Sequence, residues 1–281
     1  MKITKEQLRG WSAYHSRHEW FLQRFPSGEA EYQDVLNALA EDDRPDDAGW
    51  LMDHAGPDRD AVLEVEVISG CKHFFAAGSL IIKNGATVTG QLRAGRSIKA
   101  GRSIKAGESI KAGWGIEVDE GIEAGEGIKA GWGIEVGWGI EVGWGIKAGW
   151  GIEVDEGIEA GESIKAGWGI EVGWGIKVGE SIKAGWGIKA GWGIEVGESI
   201  GAGFGIKAGR SIKAGESIKA GWGIEVGEGI EAGEGIEAGK RFGILAGVYL
   251  KLAEWPTHAR VISKTKPGNL ISGSWIERST S

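Results

Sequence analysis

The pattern of apolar and polar positions repeats every six residues across the middle of the chain. Ile recurs at every sixth position from Ile98 to Ile236, 24 times in succession, and each unit reads Gly-x-(Gly/Ser)-Ile-(Lys/Glu)-(Ala/Val). In an extended chain, Ile and the Ala or Val two places later share one face, and the charged residue between them takes the other. The pattern therefore predicts short strands with an apolar inner face and a charged outer face.

Glycine marks the turns between these strands. Every unit contains Gly, which excludes a helix because each Gly costs about 1 kcal/mol relative to Ala in a helix interior. Gly also leads every unit except those that begin with Asp119 and Asp155. Gly adopts positive φ readily, and Asp is among the few other residues that tolerate it. We therefore expect the leading residues to turn the chain with φ > 0.

A second period, three units long, governs the variable second position of the unit. Steps of 18 from Glu108 give a column that is acidic apart from Trp144, and steps from Arg102 give a mixed column. Steps of 18 from Arg96 give an aromatic column: Trp114, Trp132, Trp150, Trp168, Trp186, Phe204 and Trp222. Steps of 12 mix aromatic and acidic residues, so three units, and not two, make one coil.

These two periods predict a mainly β fold, a three-sided parallel β-helix. Short strands that stack on copies of themselves form a solenoid. The 24 units correspond to about eight regular coils, which at about 4.8 Å per coil span roughly 38 Å. The three sides differ chemically. One carries the aromatic column beside mostly Glu, one carries a Glu ladder beside a Lys ladder, and one is mixed.

The repeat resembles that of the hexapeptide-repeat proteins, whose fold is a left-handed parallel β-helix. Read from Ala112 or Val118, the unit becomes Val/Ala, Gly/Asp, x, x, Ile, x, which has the phase of that family, although the large and small inward residues are exchanged. The resemblance covers about half of the chain and favours a left-handed over a right-handed coil. A weaker likeness connects the Gly-x-Ile-x-Ala strings with bactofilin-type polymer-forming β-helices, which are right-handed.

The chain divides into four segments. Residues 1–60 are predicted to form an α-helical N-terminal cap or recognition module, 61–94 a lead-in of irregular strands, 95–238 the triangular β-helix, and 239–281 a C-terminal β cap. The capping-box spacing of Thr4 and Gln7 predicts a helix that ends at Pro26-Ser27-Gly28. A second helix is predicted from Glu29 to Ala40, and a third around Leu51.

Two positions extend the repeat beyond its regular part. Leu92 is in phase with Ile98, so the β-helix is predicted to begin before the sequence becomes regular. Phe242 keeps the same phase once after Ala238. Further apolar residues from Ile244 onward predict more strands, with turns at Pro256 and Pro267.

Composition and charge limit the classes of partner. The net charge of −8 comes entirely from the repeats, and no basic patch is available for nucleic acid. The single cysteine, Cys71, cannot form an internal disulfide, which favours a reducing compartment. No apolar run approaches the ~20 residues of a membrane span, and no signal-peptide pattern is present. We therefore expect a cytoplasmic protein that binds neither membrane nor nucleic acid.

No residue pattern points to catalysis, a cofactor or a metal. Acyltransferases with the hexapeptide repeat use a His on or near a loop that interrupts the prism, but no His lies between His73 and His258, and the 24 units contain no insertion. His15, His18 and Glu19 fall within one helical turn without the spacing of a zinc-protease helix. The sequence thus predicts a non-enzymatic protein.

The aromatic column is the candidate interaction site. Its rings, about 4.8 Å apart, can stack on one another and join the coils, or form a surface for a partner, since a contiguous apolar stripe seldom stays uncovered on a monomer. The sequence favours a structural or protein-binding solenoid that self-associates, most simply as a dimer, or binds an unidentified protein. The alternatives are a carbohydrate-binding module that uses the Trp stripe and an acidic DNA mimic that inhibits a DNA-binding enzyme.

Overall fold

A computed structural model describes residues 1–239 and 242–279. Three parallel sheets wind along one axis and form a β-solenoid with three strands per coil. Residues 18 apart pair directly, as Ile134 does with Ile152 and Ile152 with Ile170. The three-sided parallel β-helix, with three units in each coil, is therefore confirmed.

The aromatic sheet holds the strands that follow the aromatic column. Its twelve strands are, in order along the axis, Val62–Val65, Ser79–Ile82, Ile98–Ala100, Ile116–Val118, Ile134–Val136, Ile152–Val154, Ile170–Val172, Ile188–Ala190, Ile206–Ala208, Ile224–Val226, Ile244–Ala246 and Leu270–Ser272.

The mixed sheet also has twelve strands. They are Ile68–Cys71, Ala86–Val88, Ile104–Ala106, Ile122–Ala124, Ile140–Val142, Ile158–Ala160, Ile176–Val178, Ile194–Val196, Ile212–Ala214, Ile230–Ala232, Arg260–Ser263 and Ser274–Glu277. The lysine sheet has ten strands, namely Phe74–Ala76, Leu92–Ala94, Ile110–Ala112, Ile128–Ala130, Ile146–Ala148, Ile164–Ala166, Ile182–Ala184, Ile200–Ala202, Ser217–Ala220 and Gly235–Glu237.

The solenoid is longer than the regular repeat. The lead-in strands and those after Ala238 continue the same sheets, so two sheets reach twelve strands where the repeat alone predicts about eight. Leu92 pairs with Ile110 as its phase predicts. The irregular flanks keep the inward apolar residues that the core requires, and they lose only the glycines and charges that make the repeat visible.

The core is a stack of Ile and of Ala or Val. In regular strands such as Ile134–Val136, Ile152–Val154 and Ile170–Val172 the first and third residues are buried, and the charged residue between them lies outside. Ile134, Val136 and their equivalents in other coils form one continuous apolar cluster from Ile68 to Val261. Burial of each Ile side chain contributes roughly 1.5–3 kcal/mol, so the repeated inward pair supplies most of the apolar stabilisation.

The expectation that leading residues have positive φ was wrong. Among glycines in the described residues, positive φ occurs only outside the leading positions, at Gly28, Gly56, Gly70, Gly247 and Gly273, and it occurs at neither Asp119 nor Asp155. The leading glycines provide space instead. A Cβ on Gly149 would lie 2.0 Å from the carbonyl oxygen of Gly131 in the preceding coil, closer than any side chain can approach.

The expectation for Phe242 was also wrong. Ile244, and not Phe242, takes the inward position, because it pairs with Ile224 across a coil that is two residues longer than the regular ones. The insertion moves Phe242 from the predicted Ile phase to the second position of the unit, where the aromatic column lies.

Four helices precede the solenoid, with bounds that differ from the prediction. Thr4 and Gln7 form the predicted capping box, but Ser12, at φ 56°, interrupts the first helix. The second predicted helix begins late, because Glu29–Glu31 pairs antiparallel with Lys2–Thr4. The helices are α1 Lys5–Gly10, α2 His15–Arg24, α3 Tyr32–Glu41 and α4 Pro45–Ala55. None is long and apolar enough to cross a membrane, and the same holds for every other helix in residues 1–239 and 242–279.

The helical region covers one edge of the first coil. Helix α3 packs against strand Phe74–Ala76. The Gln33 side-chain amide donates to the carbonyl of Phe75 at 2.7 Å, and its oxygen accepts from the N–H of Ala77 at 2.9 Å. Gln33 thus pairs with this edge as another strand would, which satisfies backbone groups that would otherwise be available to a foreign strand.

A second link joins the helices to the solenoid at Asp43. Its carboxylate accepts hydrogen bonds from Lys72 at 2.7 Å and from Nε2 of the buried His73 at 2.8 Å. Both hydrogen bonds stabilise the ionised carboxylate and therefore lower the pKa of Asp43. The bond from Lys72 has the larger effect, and the bond from His73 the second largest.

The C-terminal segment contains helical turns as well as strands. A 3₁₀ helix, Leu252–Glu254, leads into α5, Trp255–His258. The turn expected at Pro256 is the first turn of α5. Pro is tolerated there because backbone N–H groups in the first turn of a helix have no intrahelical acceptor, so the N–H that Pro lacks is not needed.

Candidate interaction surface

Seven aromatic rings form a continuous row along one corner of the solenoid, the aromatic ladder, in which every successive pair is stacked except Phe204 and Trp222, whose rings are inclined by 40°. Centroid separations decrease from 5.4 Å between Trp132 and Trp150 to 3.6 Å between Trp186 and Phe204. The rings of Trp150 and Trp168 are parallel, at 4.9 Å. The aromatic ladder consists of Trp132, Trp150, Trp168, Trp186, Phe204, Trp222 and Phe242.

The coil repeat itself creates the ladder. Each ladder residue from Trp132 to Trp222 donates its backbone N–H to the carbonyl of the residue one coil earlier, as Trp150 does to Trp132 at 2.8 Å and Trp168 to Trp150 at 2.7 Å. These bonds fix the Cα atoms of successive rungs at the strand spacing of about 4.8 Å. Offset-stacked aromatic rings prefer nearly the same separation, so the backbone holds the rings at a favourable distance.

The ladder differs from the predicted column at its two ends. Trp114 does not belong to the stack, because its ring faces the guanidinium of Arg96 at 4.4 Å. Phe242 adds a rung that the sequence did not reveal, 4.6 Å from Trp222 and almost parallel to it. The signal that could have identified this rung is the two-residue insertion before Phe242.

The other tryptophans of the repeat lie on the two remaining corners. Trp192 faces the guanidinium of Arg210 at 4.8 Å. Trp138, Trp144 and Trp174 are exposed, and Trp174 reaches 70%. In the described residues these three take part in no ring pair or cation–π contact, so stacking is particular to the aromatic corner.

The ladder rings are only half covered despite their stacking. The exposed fraction decreases from 61% at Trp132 to 42% at Trp186. Beside the rings, a groove of about 1350 Å³ runs along the aromatic sheet and is floored by the glycines that precede each Ile. The surface is thus a long apolar strip with an adjoining groove.

The stacking determines which part of each ring a partner can reach. Successive rungs from Trp132 to Phe204 are inclined by 0° to 21°, so the two faces of each interior ring lie against its neighbours. Only ring edges point outward. The ladder can therefore contact an apolar surface along its edges, but it does not offer ring faces to a flat ligand.

A column of charged residues accompanies the ladder along the middle of the aromatic sheet. From one end to the other, the outward residues of its twelve strands are Glu64, Ile81, Lys99, Glu117, Glu135, Glu153, Glu171, Lys189, Lys207, Glu225, Leu245 and Ile271. The signs are not random. An acidic run from Glu117 to Glu171 crosses the middle of the sheet, with Lys99 before it and Lys189 and Lys207 after it.

Three ion pairs tie neighbours within this column. Lys189 binds Glu171 at 2.5 Å, and equivalent pairs join Lys99 to Glu117 and Lys207 to Glu225. The hydrogen bond with Glu117, and the charge of that residue, raise the pKa of Lys99. Within the described chain, Glu135 and Glu153 form no ion pair. Exposed pairs of this kind contribute about 0–1 kcal/mol each, so the lysines can also pair with other carboxylates.

The lysine sheet carries the predicted Lys ladder. Lys111, Lys129 and Lys147 lie directly opposite one another in successive strands, and Lys165 and Lys183 continue the row. The neighbouring corner carries the Glu ladder, and Glu180, Glu198 and Glu216 there accept hydrogen bonds from serine hydroxyls one coil earlier. Lys and Glu rows of opposite sign therefore run side by side.

The histidines of the N-terminal helices lie far from any cluster of ligands. Nε2 of His15 lies 2.9 Å from a carboxylate oxygen of Glu19, and Nε2 of His18 is buried without a hydrogen-bond partner among the described residues. Residues 1–239 and 242–279 contain no group of three or more His, Cys, Asp or Glu arranged to hold a metal ion.

Comparison with known proteins reaches only the helical region. A family model described as the YdhT N-terminal domain matches residues 1–55, about a fifth of the chain, which contain α1 to α4. No curated protein and no solved structure matches the chain. The helical region is therefore similar to that domain, and a function for the solenoid must be argued from its own geometry.

Replacement of one interior rung should measure the stacking energy. Trp168→Ala removes the contacts with both Trp150 and Trp186, and each aromatic pair contributes roughly 0.5–1.5 kcal/mol beyond its buried area. We expect urea denaturation to show a loss of about 2 kcal/mol and circular dichroism to show a weaker signal from coupled indoles. The control is Trp174→Ala, at a ring outside the ladder, which should change stability by less than about 0.5 kcal/mol. Equal losses in the two variants would contradict a stabilising role for stacking.

Proposed function

We propose that the protein is a non-enzymatic β-solenoid that self-associates, with the aromatic ladder of one copy in contact with that of a second. The observation that carries this proposal is the half-exposed, unbroken row of seven rings along a groove. Six steps of about 4.8 Å give a strip roughly 29 Å long. Apolar stripes of this size on soluble proteins are commonly covered by a partner.

The dimensions of the sheet support a second copy as that partner. Twelve strands at about 4.8 Å, in a sheet roughly 15 Å wide, offer about 800 Å² per copy, which is the area per partner of a typical stable interface. The ladder is straight because the coils from Trp132 to Trp222 have the same register. A second straight ladder is the simplest surface that can follow it over its whole length, and a two-fold axis provides it without any other partner.

The two alternative functions have less support from the geometry. Aromatic sites for sugars use ring faces, and the interior rungs of this ladder present their edges. A DNA mimic needs a continuous negative surface, and the lysine row from Lys111 to Lys183 interrupts the acidic one. The proposal retains the cytoplasmic location and the absence of catalysis that the sequence predicts.

Light scattering on purified protein tests this proposal. The wild type should have the mass of a dimer, and Trp150→Ser/Trp168→Ser should have that of a monomer, because edge contacts at the centre of the ladder are lost. The control, Trp138→Ser/Trp174→Ser, removes two exposed rings from another corner and should leave the dimer intact. Circular dichroism verifies that each variant keeps its β structure. A monomeric wild type would refute the proposal, and a dimer that persists in the ladder variant would place the interface elsewhere.

A further inference from the structure

The order of charges on the aromatic sheet points to one arrangement of the two copies. Resting on the proposed self-association, we infer that the copies pack antiparallel, aromatic sheet against aromatic sheet. The two-fold axis passes between strands Ile152–Val154 and Ile170–Val172. This inference names the register of the interface, which the exposed rings alone do not determine.

Symmetry restricts two facing sheets to two arrangements. A two-fold axis along the solenoid makes the copies parallel, and each residue of the central column then faces itself, as Glu135 on Glu135. The same axis places the ladder opposite the other corner of the sheet. A two-fold axis across the solenoid makes the copies antiparallel, which puts ladder on ladder and reverses the order of the central column. Only this second arrangement can place unlike charges opposite each other.

The proposed register converts the central column into complementary pairs. Glu135 faces Lys189, Glu117 faces Lys207, and Lys99 faces Glu225, and the two-fold axis doubles each pair. The one like-charged pair is Glu153 with Glu171, next to the axis, where Lys189 already binds Glu171. A shift by one coil in either direction leaves fewer unlike pairs. Like charges placed opposite one another oppose association, so the charges select this register.

The ends of the sheet fit the same register. The axis lies midway along the twelve strands, so the two sheets overlap over their full length. Ile81, the outward residue of the second strand, then faces Leu245, the outward residue of the eleventh. Both side chains are partly exposed and both line the groove. Apolar residues therefore meet one strand in from each end, unlike charges meet between them, and Glu64 faces Ile271 at the outermost strands.

The aromatic corner is also matched in this register. Trp150 faces Trp168 beside the axis, and Trp132 faces Trp186, so the ladder edges meet in the centre of the interface. Arg96 faces Trp222 at the periphery, and Arg beside Trp is a favourable cation–π combination. Arg96, which stands at the start of the aromatic column in place of an aromatic residue, thus meets the ring of Trp222 of the second copy.

Charge reversal tests the register. Glu135→Lys places Lys opposite Lys189, and Lys189→Glu places Glu opposite Glu135, so each variant should weaken the dimer about tenfold in analytical ultracentrifugation. The double variant Glu135→Lys/Lys189→Glu should recover most of that loss. The control is Glu141→Lys on the mixed sheet, which should leave the dimer unchanged. If both single variants dimerise like the wild type, or if the double variant is weaker than either, the register is wrong.

Cross-linking provides a second, independent measurement. In a Cys71→Ser background, a mixture of Glu135→Cys and Lys189→Cys chains should be joined by a short bismaleimide, because facing sheets lie about 10 Å apart. Glu135→Cys alone should not cross-link, since in this register it faces residue 189. Self-cross-linking of Glu135→Cys would show the parallel arrangement or another antiparallel register, and either would overturn the inference while dimerisation stands. A monomeric wild type would overturn the proposed function as well.

Discussion

Gly149→Ala should lower the free energy of unfolding by about 3 kcal/mol or more, because the new Cβ has no space. It would lie 2.0 Å from the carbonyl oxygen of Gly131 and 3.0 Å from its carbonyl carbon. Both atoms belong to the backbone of the preceding coil, which cannot move away without a change in strand spacing. Urea or thermal denaturation would measure this loss.

The matched control lies two residues away. At Gly151 a Cβ would meet only the carbonyl oxygen of Gly169, at 3.5 Å, an ordinary contact. Ser occupies the equivalent position in other units, as at Ser163 and Ser181. Gly151→Ala should therefore be neutral or stabilise the fold by up to about 1 kcal/mol, since it restricts the unfolded chain. If Gly149→Ala were as stable as Gly151→Ala, close approach of the coils would not explain the leading glycines.

Ile152→Ala should lower stability by about 3–4 kcal/mol, within the range measured for large cavities in protein cores. Ile152 is 2% exposed and lies between Ile134 and Ile170 in the stack. Its neighbours are held by strands on both sides, so the solenoid cannot collapse into the space. Urea denaturation of the variant and of the wild type would give the difference.

Val154→Ala is the control for this core substitution. Val154 is as deeply buried as Ile152, but Ala190 and Ala208 take the equivalent position in later coils. The sheet therefore accommodates either size at this site. We expect a loss of about 1.5 kcal/mol from the smaller change in buried area. A loss at Val154 equal to that at Ile152 would show that the two inward positions contribute alike.

Much of the fold could be predicted from the sequence because periodicity specifies neighbours. The six-residue period predicts the length of each strand and which residues point inward. The longer period of three units predicts that Ile134 pairs with Ile152. What the period could not give was the reason for its glycines. Both positive φ and close backbone approach favour Gly, and only the stacked coils distinguish between them. Asp119 and Asp155, which tolerate positive φ, favoured the wrong choice.

The ends of the solenoid show the same limit. Phe242 continued the six-residue phase by coincidence, and the two-residue insertion, which the pairing of Ile224 with Ile244 shows directly, placed it in the ladder. The helices were located, but Ser12 ended α1 through its backbone conformation. Local signals identify elements, and long-range pairing decides their bounds.

For the candidate surface, the column could be predicted from the sequence, but its geometry could not. The spacing of three units placed Trp150 and Trp168 on adjacent coils, and the structure adds that their rings are parallel. Trp114 fits the column equally well in sequence and still faces Arg96. Which ring stacks depends on the side chain one coil away and on its rotamer, and the order of residues does not encode the rotamer directly.

Identical register in the regular coils makes this part of the molecule modular in length. A coil contacts only the coils before and after it, so stability accumulates by nearest-neighbour terms. Loss of residues 151–168 would join two equivalent positions, remove one rung, and leave the inward Ile and small residues paired as before. The number of coils can thus change through whole-repeat gain or loss of coding sequence, with no new core to evolve. The length of the solenoid can therefore change only in steps of one whole coil if the register is to be kept.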